Sequence, residues 1–155
     1  MRTAPRDFSM LHLPSPDAVG HAQGYMSPAY LDAVTATDRL IGRLLDAIAA
    51  RPSLAASTVV VVTSDHGGLG LSHSDATRAV NYTIPFFVWG RGIRAGADLY
   101  ALNPDRANPG TSRPTYAVAV QPIRNAEAGN LVTELLGLRA IPGSRINATQ
   151  TLDVG

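Results

Sequence analysis

Five side chains that could bind a metal ion occur in two short parts of the sequence. Asp17 and His21 stand in the first part, and Asp65 and His66 stand in the second, with His73 a few residues further on. Carboxylate oxygens and neutral imidazole nitrogens are ligands that suit zinc or manganese. Glycines beside these residues leave room for a cation or an anionic ligand to approach the backbone. These residue types indicate a metal site, provided that the fold brings the two parts together.

The composition restricts the chemistry to a few kinds of side chain. The 155 residues include no Cys, and all 13 basic residues are Arg, so thiolate chemistry, disulfides and a Lys nucleophile are excluded. A formal net charge of +1 gives no sign of a nucleic-acid-binding surface. No apolar run reaches the ~20 residues of a membrane span, and residues 1–5 lack the apolar core of a signal peptide. The sequence therefore predicts one globular domain.

The elements that must position the candidate ligands begin with a strand, a loop and a helix. Residues 8–13 are an apolar run closed by prolines, which predicts a strand, and residues 15–25 follow as a predicted loop. A helix is predicted over residues 28–50, because Ser27 is a good N-cap and apolar residues recur at helical spacing. Residues 58–63 are mostly valine, as in a strand buried on both faces of a parallel sheet. Strand, helix and strand together predict a right-handed βαβ unit.

The remainder of the chain predicts a thin sheet with flanking helices. A third strand is predicted over residues 85–89, and a long surface loop over residues 94–115. A second helix is predicted over residues 126–136, capped by Asn125 and ended by Gly137. The expected fold class is therefore α/β with a partial parallel sheet. Sites in such sheets form beyond the carboxyl ends of the strands, where both Asp/His pairs are expected to lie.

Each candidate ligand also has a purely structural interpretation. Asp17 and His21 are residue types that occur in loops and turns without any ligand, and Asp-His-Gly-Gly after the valine strand is good turn chemistry. His73 lies in a polar segment where solvation is the default. A metal-free α/β domain is therefore one alternative. Against it stands the coincidence of two Asp/His pairs at the ends of strands that are predicted to be neighbours.

Taken together, the motifs resemble those of the alkaline phosphatase superfamily. The pattern Pro-Asp-x-x-Gly-His-x-x-Gly occupies residues 16–24, and Ser-Asp-His-Gly-Gly occupies residues 64–68. The segment Ile-Pro-Phe-Phe-Val-Trp-Gly at residues 84–90 and the segment Gln-Pro-Ile-Arg-Asn at residues 121–125 are similar to later parts of the same proteins. Within the superfamily, the likeness is greatest to the type I phosphodiesterase/nucleotide pyrophosphatase branch, and it extends over nearly the whole chain.

The resemblance implies a centre that holds two divalent metal ions, with zinc expected first and manganese as the alternative. By this likeness Asp17 and His21 are ligands of the first metal, and Asp65 and His66 are ligands of the second. The first metal of the superfamily takes a later His as its third ligand. His73 is the only His after His66, and it is the candidate for that role.

Two parts implied by the resemblance have no match among these residues. The superfamily uses a further Asp on an upstream strand and a Ser or Thr nucleophile at a helix N-terminus, both well before the Pro-Asp-x-x-Gly-His segment. Thr3 and Ser9 lack a helix start, and Ser64 is better interpreted as the end of a strand. Residues 1–155 are therefore expected to form the C-terminal part of a single catalytic domain, with the nucleophile supplied from upstream.

The function that the resemblance implies is metal-dependent hydrolysis of small-molecule phosphate esters, with phosphodiesters or nucleotide pyrophosphates favoured. Other members of the superfamily act on phosphomonoesters, phosphonates or sulfates with the same arrangement of residues, so these substrates stay open as alternatives. A non-catalytic metal-binding or assembly module derived from such an enzyme is the alternative function. An incomplete sheet would expose an unpaired edge, which favours self-association. The cellular location stays open, although relatives often act outside the cytoplasm.

Overall fold

The computed structural model of the chain describes residues 6–155, and Thr3 lies outside this range. The chain is a mixed α/β structure of six helices and two strands over these residues. In chain order the elements are α1 (Ser15–Gln23), α2 (Pro28–Ala49), α3 (Pro52–Ala55), β1 (Val59–Thr63), α4 (Ala79–Tyr82), β2 (Phe86–Gly90), α5 (Leu99–Leu102) and α6 (Glu127–Leu135). None of these helices combines the length and the apolar character needed to cross a bilayer.

Helix α1 occupies the segment for which the sequence predicts a loop, so that prediction is wrong. Pro14 is the N-cap residue of the helix, and a second proline, Pro16, lies in its first turn. Proline is tolerated there because the first N–H groups of a helix have no intrahelical partner. The helix ends at Gly24, whose φ of 96° is readily adopted by glycine. Pro16 therefore marks the start of a helix rather than the continuation of a loop.

Helix α2 confirms the prediction for residues 28–50 to within one residue at its C-terminal end. The Ser27 hydroxyl accepts the backbone N–H of Tyr30 at 3.2 Å, which satisfies one of the free donors of the first turn. Pro28 occupies the first turn of the helix, as expected. Helix α1 packs against α2, so the first candidate ligands are carried by a pair of helices.

The sheet differs from the predicted one in both size and direction. Strands β1 and β2 confirm two of the three predicted strands, and they pair antiparallel, with Val59 opposite Gly90 and Thr63 opposite Phe86. This two-stranded pair is the only sheet within residues 6–155. The expected burial of β1 on both faces is also not found, since its residues are half-buried or exposed.

The predicted strand over residues 8–13 is absent from the structure. These residues form no ladder, and their side chains are exposed, with Leu11 65% and Met10 79% accessible. A strand exists only through hydrogen bonds to a neighbour, and this segment has none within residues 6–155. The expected parallel pairing with β1, and with it the βαβ unit, is therefore not formed here.

Helix α6 agrees with the sequence at its C-terminus and differs at its N-terminus. Gly137, at φ 68°, donates its N–H to the Glu134 carbonyl, and Leu138 donates to the Thr133 carbonyl, both at 2.8 Å. This pair of hydrogen bonds is a common way to end a helix at glycine. Asn125 does not cap the helix, because the N-cap residue is Ala126 and its side chain makes no capping bond.

Buried asparagines attach the irregular segments around α6. The Asn130 amide nitrogen donates to the Ile146 carbonyl at 2.7 Å, and its amide oxygen accepts the N–H of Ile141 at 2.8 Å. Asn103 makes the same pair of bonds to Asp153, both at 2.8 Å. Since both amides are almost fully buried, these bonds hold the last residues of the chain in place without regular structure.

Much of the apolar surface remains uncovered. The solvent-accessible surface is 10801 Å², whereas a folded monomer of 16.3 kDa exposes about 7500 Å². The buried apolar side chains within residues 6–155 are few, namely Tyr25, Ile48, Leu131 and Leu152. On the sheet, Phe87 is 64% accessible. The chain thus buries less apolar surface than its composition allows.

Candidate metal centre

The first two candidate ligands lie on one face of α1. Asp17 and His21 are four residues apart, a spacing that places side chains above one another on a helix. His21 Nε2 is 3.4 Å from Asp17 Oδ1, and both side chains are nearly half exposed. The helix that the sequence did not predict is therefore what brings this pair together.

The loop after β1 carries the other three candidates and folds back towards α1. The Gly67 N–H donates to the Asn81 carbonyl at 3.0 Å, and a tight turn joins Leu69 to Ser72. This turn returns the chain so that the ring of His73 stacks on the ring of His66, with centroids 3.6 Å apart and planes 14° apart. Gly70, at φ 60°, lies in the turn that places His73 beside the first pair.

A group of three side chains can offer one donor atom each to a common centre. These atoms of Asp17, His21 and His73 all lie within 4.8 Å of one another. A tetrahedral zinc ion with bonds of about 2.0–2.2 Å needs donors roughly 3–4 Å apart, which small side-chain rotations would achieve. One carboxylate and two imidazoles are also a chemically suitable set for zinc or manganese. The residues fit the metal ion that the sequence leads one to expect.

The tautomer of His21 is suited to metal binding. Its Nδ1 lies 2.9 Å from the Leu71 carbonyl oxygen, and a carbonyl oxygen only accepts hydrogen bonds. Nδ1 therefore carries a proton, and Nε2 is the ring nitrogen that faces Asp17 and could bind a metal ion. Ligating histidines are commonly fixed in this way by a backbone carbonyl.

Asp65 and His66 form a second, smaller group beside the first. His66 Nε2 is 3.5 Å from Asp65 Oδ2 and 3.7 Å from Asp17 Oδ1. His66 Nδ1 lies 2.8 Å from the Gly67 carbonyl oxygen, so this ring is also held in an orientation that leaves Nε2 available to a metal ion. The Asp65 side chain is 84% exposed. The pair supplies two donors at the edge of the first group.

Tyr25 joins the two halves of the centre. Its hydroxyl donates to Asp17 Oδ1 at 2.5 Å, and its backbone N–H donates to the Gly70 carbonyl at 2.7 Å. Its ring lies against Gly20 of α1 and Gly68 of the loop so closely that a Cβ atom on either glycine would overlap it. The two glycines therefore allow α1 and the loop to meet around one buried ring.

The electrostatics of the centre favour an ionised Asp17. The hydrogen bond from Tyr25 lowers the pKa of Asp17 most strongly, burial opposes it in part, and the three nearby histidines lower the pKa further. Burial and the bond to Asp17 raise the pKa of Tyr25. At neutral pH the carboxylate is thus anionic and the phenol is protonated, which is the arrangement that their hydrogen bond requires.

The five side chains could be predicted from the sequence, but the groups that hold them could not. The structure brings Asp17, His21 and His73 into one group, with His66 in contact and Asp65 at its exposed edge. Tyr25 was missed because it fell in a predicted loop, where an aromatic residue after a glycine carries no metal-site pattern. Asn125 was expected to cap a helix, yet its amide donates to the Ser64 and Asp65 carbonyls at 3.2 and 3.3 Å.

Comparison with known proteins identifies one family. The sequence model of the family described as "Type I phosphodiesterase / nucleotide pyrophosphatase" matches residues 2–134, which is well over half of the chain. Neither a curated protein nor a solved structure matches the chain. The matched range includes all five candidate ligands and Tyr25.

Proposed function

Because the chain belongs to the type I phosphodiesterase/nucleotide pyrophosphatase family, we propose that it supplies metal ligands for the hydrolysis of phosphodiester or nucleotide pyrophosphate bonds. The family is metal-dependent and acts on small phosphate esters. The single observation that carries the proposal is the group formed by Asp17, His21 and His73. Two motifs distant in sequence converge there on donors suited to one divalent cation.

The proposed ligand roles follow the two groups of side chains. Asp17, His21 and His73 hold the first ion, and Asp65 and His66 contribute to the second. Zinc is the proposed metal, since two imidazoles and a carboxylate are a common zinc set, and manganese is the alternative. The free Nε2 atoms of His21 and His66 support these roles, because both rings are fixed through Nδ1 by backbone carbonyls.

In the proposed chemistry, the metal ions stabilise charge and a nucleophile from outside these residues attacks the phosphorus. When bound, a pair of divalent cations stabilises the charge of an in-line displacement at phosphorus. Asp17 stays ionised and is fixed by Tyr25, and His21 and His66 present Nε2. Ser64 is a poor nucleophile, since its hydroxyl donates to the His66 carbonyl at 2.6 Å. We therefore propose that a Ser or Thr upstream of residues 1–155 completes the active site.

The uncovered apolar surface supports the proposal that these residues are part of a larger domain. Residues 8–13 have the composition of a strand, and β1 has an unpaired edge within the described part of the chain. We propose that in the intact domain this segment and β1 join a larger parallel sheet of the alkaline phosphatase type. Pairing would satisfy their backbone groups and cover part of the excess surface.

The test of the proposed function is a metal count followed by an assay. The purified chain is equilibrated with ZnCl₂ or MnCl₂, freed of excess metal, and analysed for bound ions. One tightly held ion per chain is expected, with no turnover of bis(p-nitrophenyl) phosphate by these residues alone. Fusion to the upstream half of a family member should restore turnover. Binding no tighter than that of an isolated surface histidine would contradict the proposal.

A non-catalytic assembly module is the second candidate function, and the free sheet edge favours it. We expect residues 1–155 to self-associate, because a strand with one unpaired edge beside exposed apolar side chains is a template for pairing with a second copy. Light scattering coupled to size exclusion should give a mass above 16.3 kDa that falls on dilution. The double variant Val60→Lys and Val62→Lys would introduce charge on β1 next to its unpaired edge and should return the chain to the monomer. A monomer at all concentrations would rule out this candidate.

A further inference from the structure

Tyr25 has a set of contacts that a simple core residue does not need. It is 8% exposed, and its hydroxyl donates to Asp17 Oδ1 rather than to a backbone carbonyl. A buried phenol needs a partner, and many would serve, but here the partner belongs to the metal group. The ring also lies 5.7 Å from the ring of His21 and 6.4 Å from that of His73, edge to face in both cases.

The hydrogen bond from Tyr25 is the shortest contact of the Asp17 side chain. The structure shows no other hydroxyl or N–H donor to the Asp17 side chain within residues 6–155, and the side chain is 48% exposed. His21 Nε2 and His66 Nε2 also lie near the same oxygen, at 3.4 and 3.7 Å, but these distances are longer than a hydrogen bond and restrict the rotamer less than the Tyr25 bond does. The bond to one oxygen also fixes the direction in which the other oxygen points. Tyr25 therefore determines which rotamer Asp17 holds before a cation arrives.

The contacts of Tyr25 also fix the distance between the two halves of the centre. Its ring fills the space between Gly20 and Gly68, and its backbone N–H is bonded to Gly70. Tyr25 thus contacts both helix α1 and the loop that carries His73, beside the hydrogen bond of His21 to the Leu71 carbonyl. A rigid supporting group of this kind reduces the cost of assembling the ligands around an ion.

We infer that Tyr25 is a positioning residue that pre-orients Asp17 for metal binding, with its hydroxyl setting the carboxylate and its ring setting the distance to His73. This inference rests on the proposed function, because it takes Asp17 to be a ligand. The hydroxyl and the ring have separable roles. Removing the hydroxyl should weaken metal binding without loosening the fold, since the ring still fills the space between the two glycines.

The test compares Tyr25→Phe with Tyr30→Phe. Tyr30 is a suitable control because its ring neighbours that of Tyr25 at 5.4 Å and its hydroxyl makes no hydrogen bond within the described residues. Affinity for Zn²⁺ is measured by competition with a chromophoric chelator, well below the unfolding temperature of the metal-free protein. Loss of a group that orients a ligand costs about 10- to 100-fold in metal affinity, and this loss is expected for Tyr25→Phe. Tyr30→Phe should bind as the wild type does.

The unfolding midpoint of the metal-free protein separates positioning from simple stabilisation. Tyr25→Phe should leave this midpoint close to that of the wild type while the affinity falls. An affinity within twofold of the wild type would overturn the inference, and so would a loss of affinity matched by Tyr30→Phe. In both cases the proposed function would stand if Asp17→Asn still removed binding. A wild-type chain that binds no Zn²⁺ would instead overturn the proposed function itself.

Discussion

Asp17→Asn should weaken the binding of the first metal ion by more than the about 10- to 100-fold that loss of a group supporting a ligand costs, because here the charged ligand itself becomes a neutral amide. Asp17 is central to the group, since its Oδ1 lies 3.4 Å from His21 Nε2 and 3.7 Å from His66 Nε2. It is also the only carboxylate of the three-residue set. Chelator competition with Zn²⁺, together with a count of ions retained after desalting, measures the loss.

The fold of the metal-free protein should survive this substitution. Asn retains an oxygen that can accept the Tyr25 hydroxyl, so the link between α1 and the loop is kept. Asp32→Asn is the matched control, because it removes the same charge from an exposed position on the neighbouring helix α2. Asp32→Asn should bind Zn²⁺ with wild-type affinity. Equal affinities for the two variants would mean that Asp17 is not a ligand.

The site could be predicted from the sequence further than the fold could. Asp and His residues in two separate motifs indicated a metal site, and the structure brings three of them within 4.8 Å of one another. The residue types alone determine which side chains can bind a metal ion, so this part of the site could be predicted without the fold. The supporting groups were not predictable, because the Leu71 carbonyl and the Tyr25 hydroxyl act through positions that only the folded backbone defines.

The fold predictions were correct for elements whose signals lie within their own sequence. They were wrong for elements that depend on pairing with a distant strand. Helix α2 has its cap, its proline and its apolar spacing within its own sequence, so it was predicted to within one residue. Residues 8–13 have strand composition, but composition cannot say whether a neighbouring strand is present to pair with them. The direction of β1 relative to β2 depends on the same long-range pairing, and it is antiparallel rather than parallel.

Prolines gave the most ambiguous local signal. The prolines at 14 and 16 were interpreted as the end of a strand and the start of a loop, whereas they begin α1. Both interpretations respect the missing N–H of proline, which is tolerated at the first turn of a helix and in a loop alike. The pair Asp17 and His21 at helical spacing was a further sign of a helix, and it was interpreted only as metal chemistry.

Gly67→Ala should destabilise the protein more than any other single methyl addition in the loop after β1. Its Cβ atom would overlap the Val80 carbonyl oxygen, which is backbone and cannot rotate away. The same glycine donates its N–H to the Asn81 carbonyl at 3.0 Å, so the loop cannot move off without losing that bond. Overpacking of this kind costs at least about 2 kcal/mol. The midpoint of thermal unfolding should therefore fall by at least about 5 °C.

Gly42→Ala is the matched control for this prediction. Gly42 lies inside α2, and a Cβ atom there meets nothing within 4 Å. Alanine in a helix interior is more stable than glycine by about 0.5–1 kcal/mol, so this variant should unfold at a slightly higher temperature than the wild type. The same methyl group thus has opposite effects at the two positions, because one glycine is required by packing and the other is not. If Gly67→Ala unfolded at the wild-type temperature, the close contact between the loop and α4, and with it the placement of His66 beside Asp17, would be wrong.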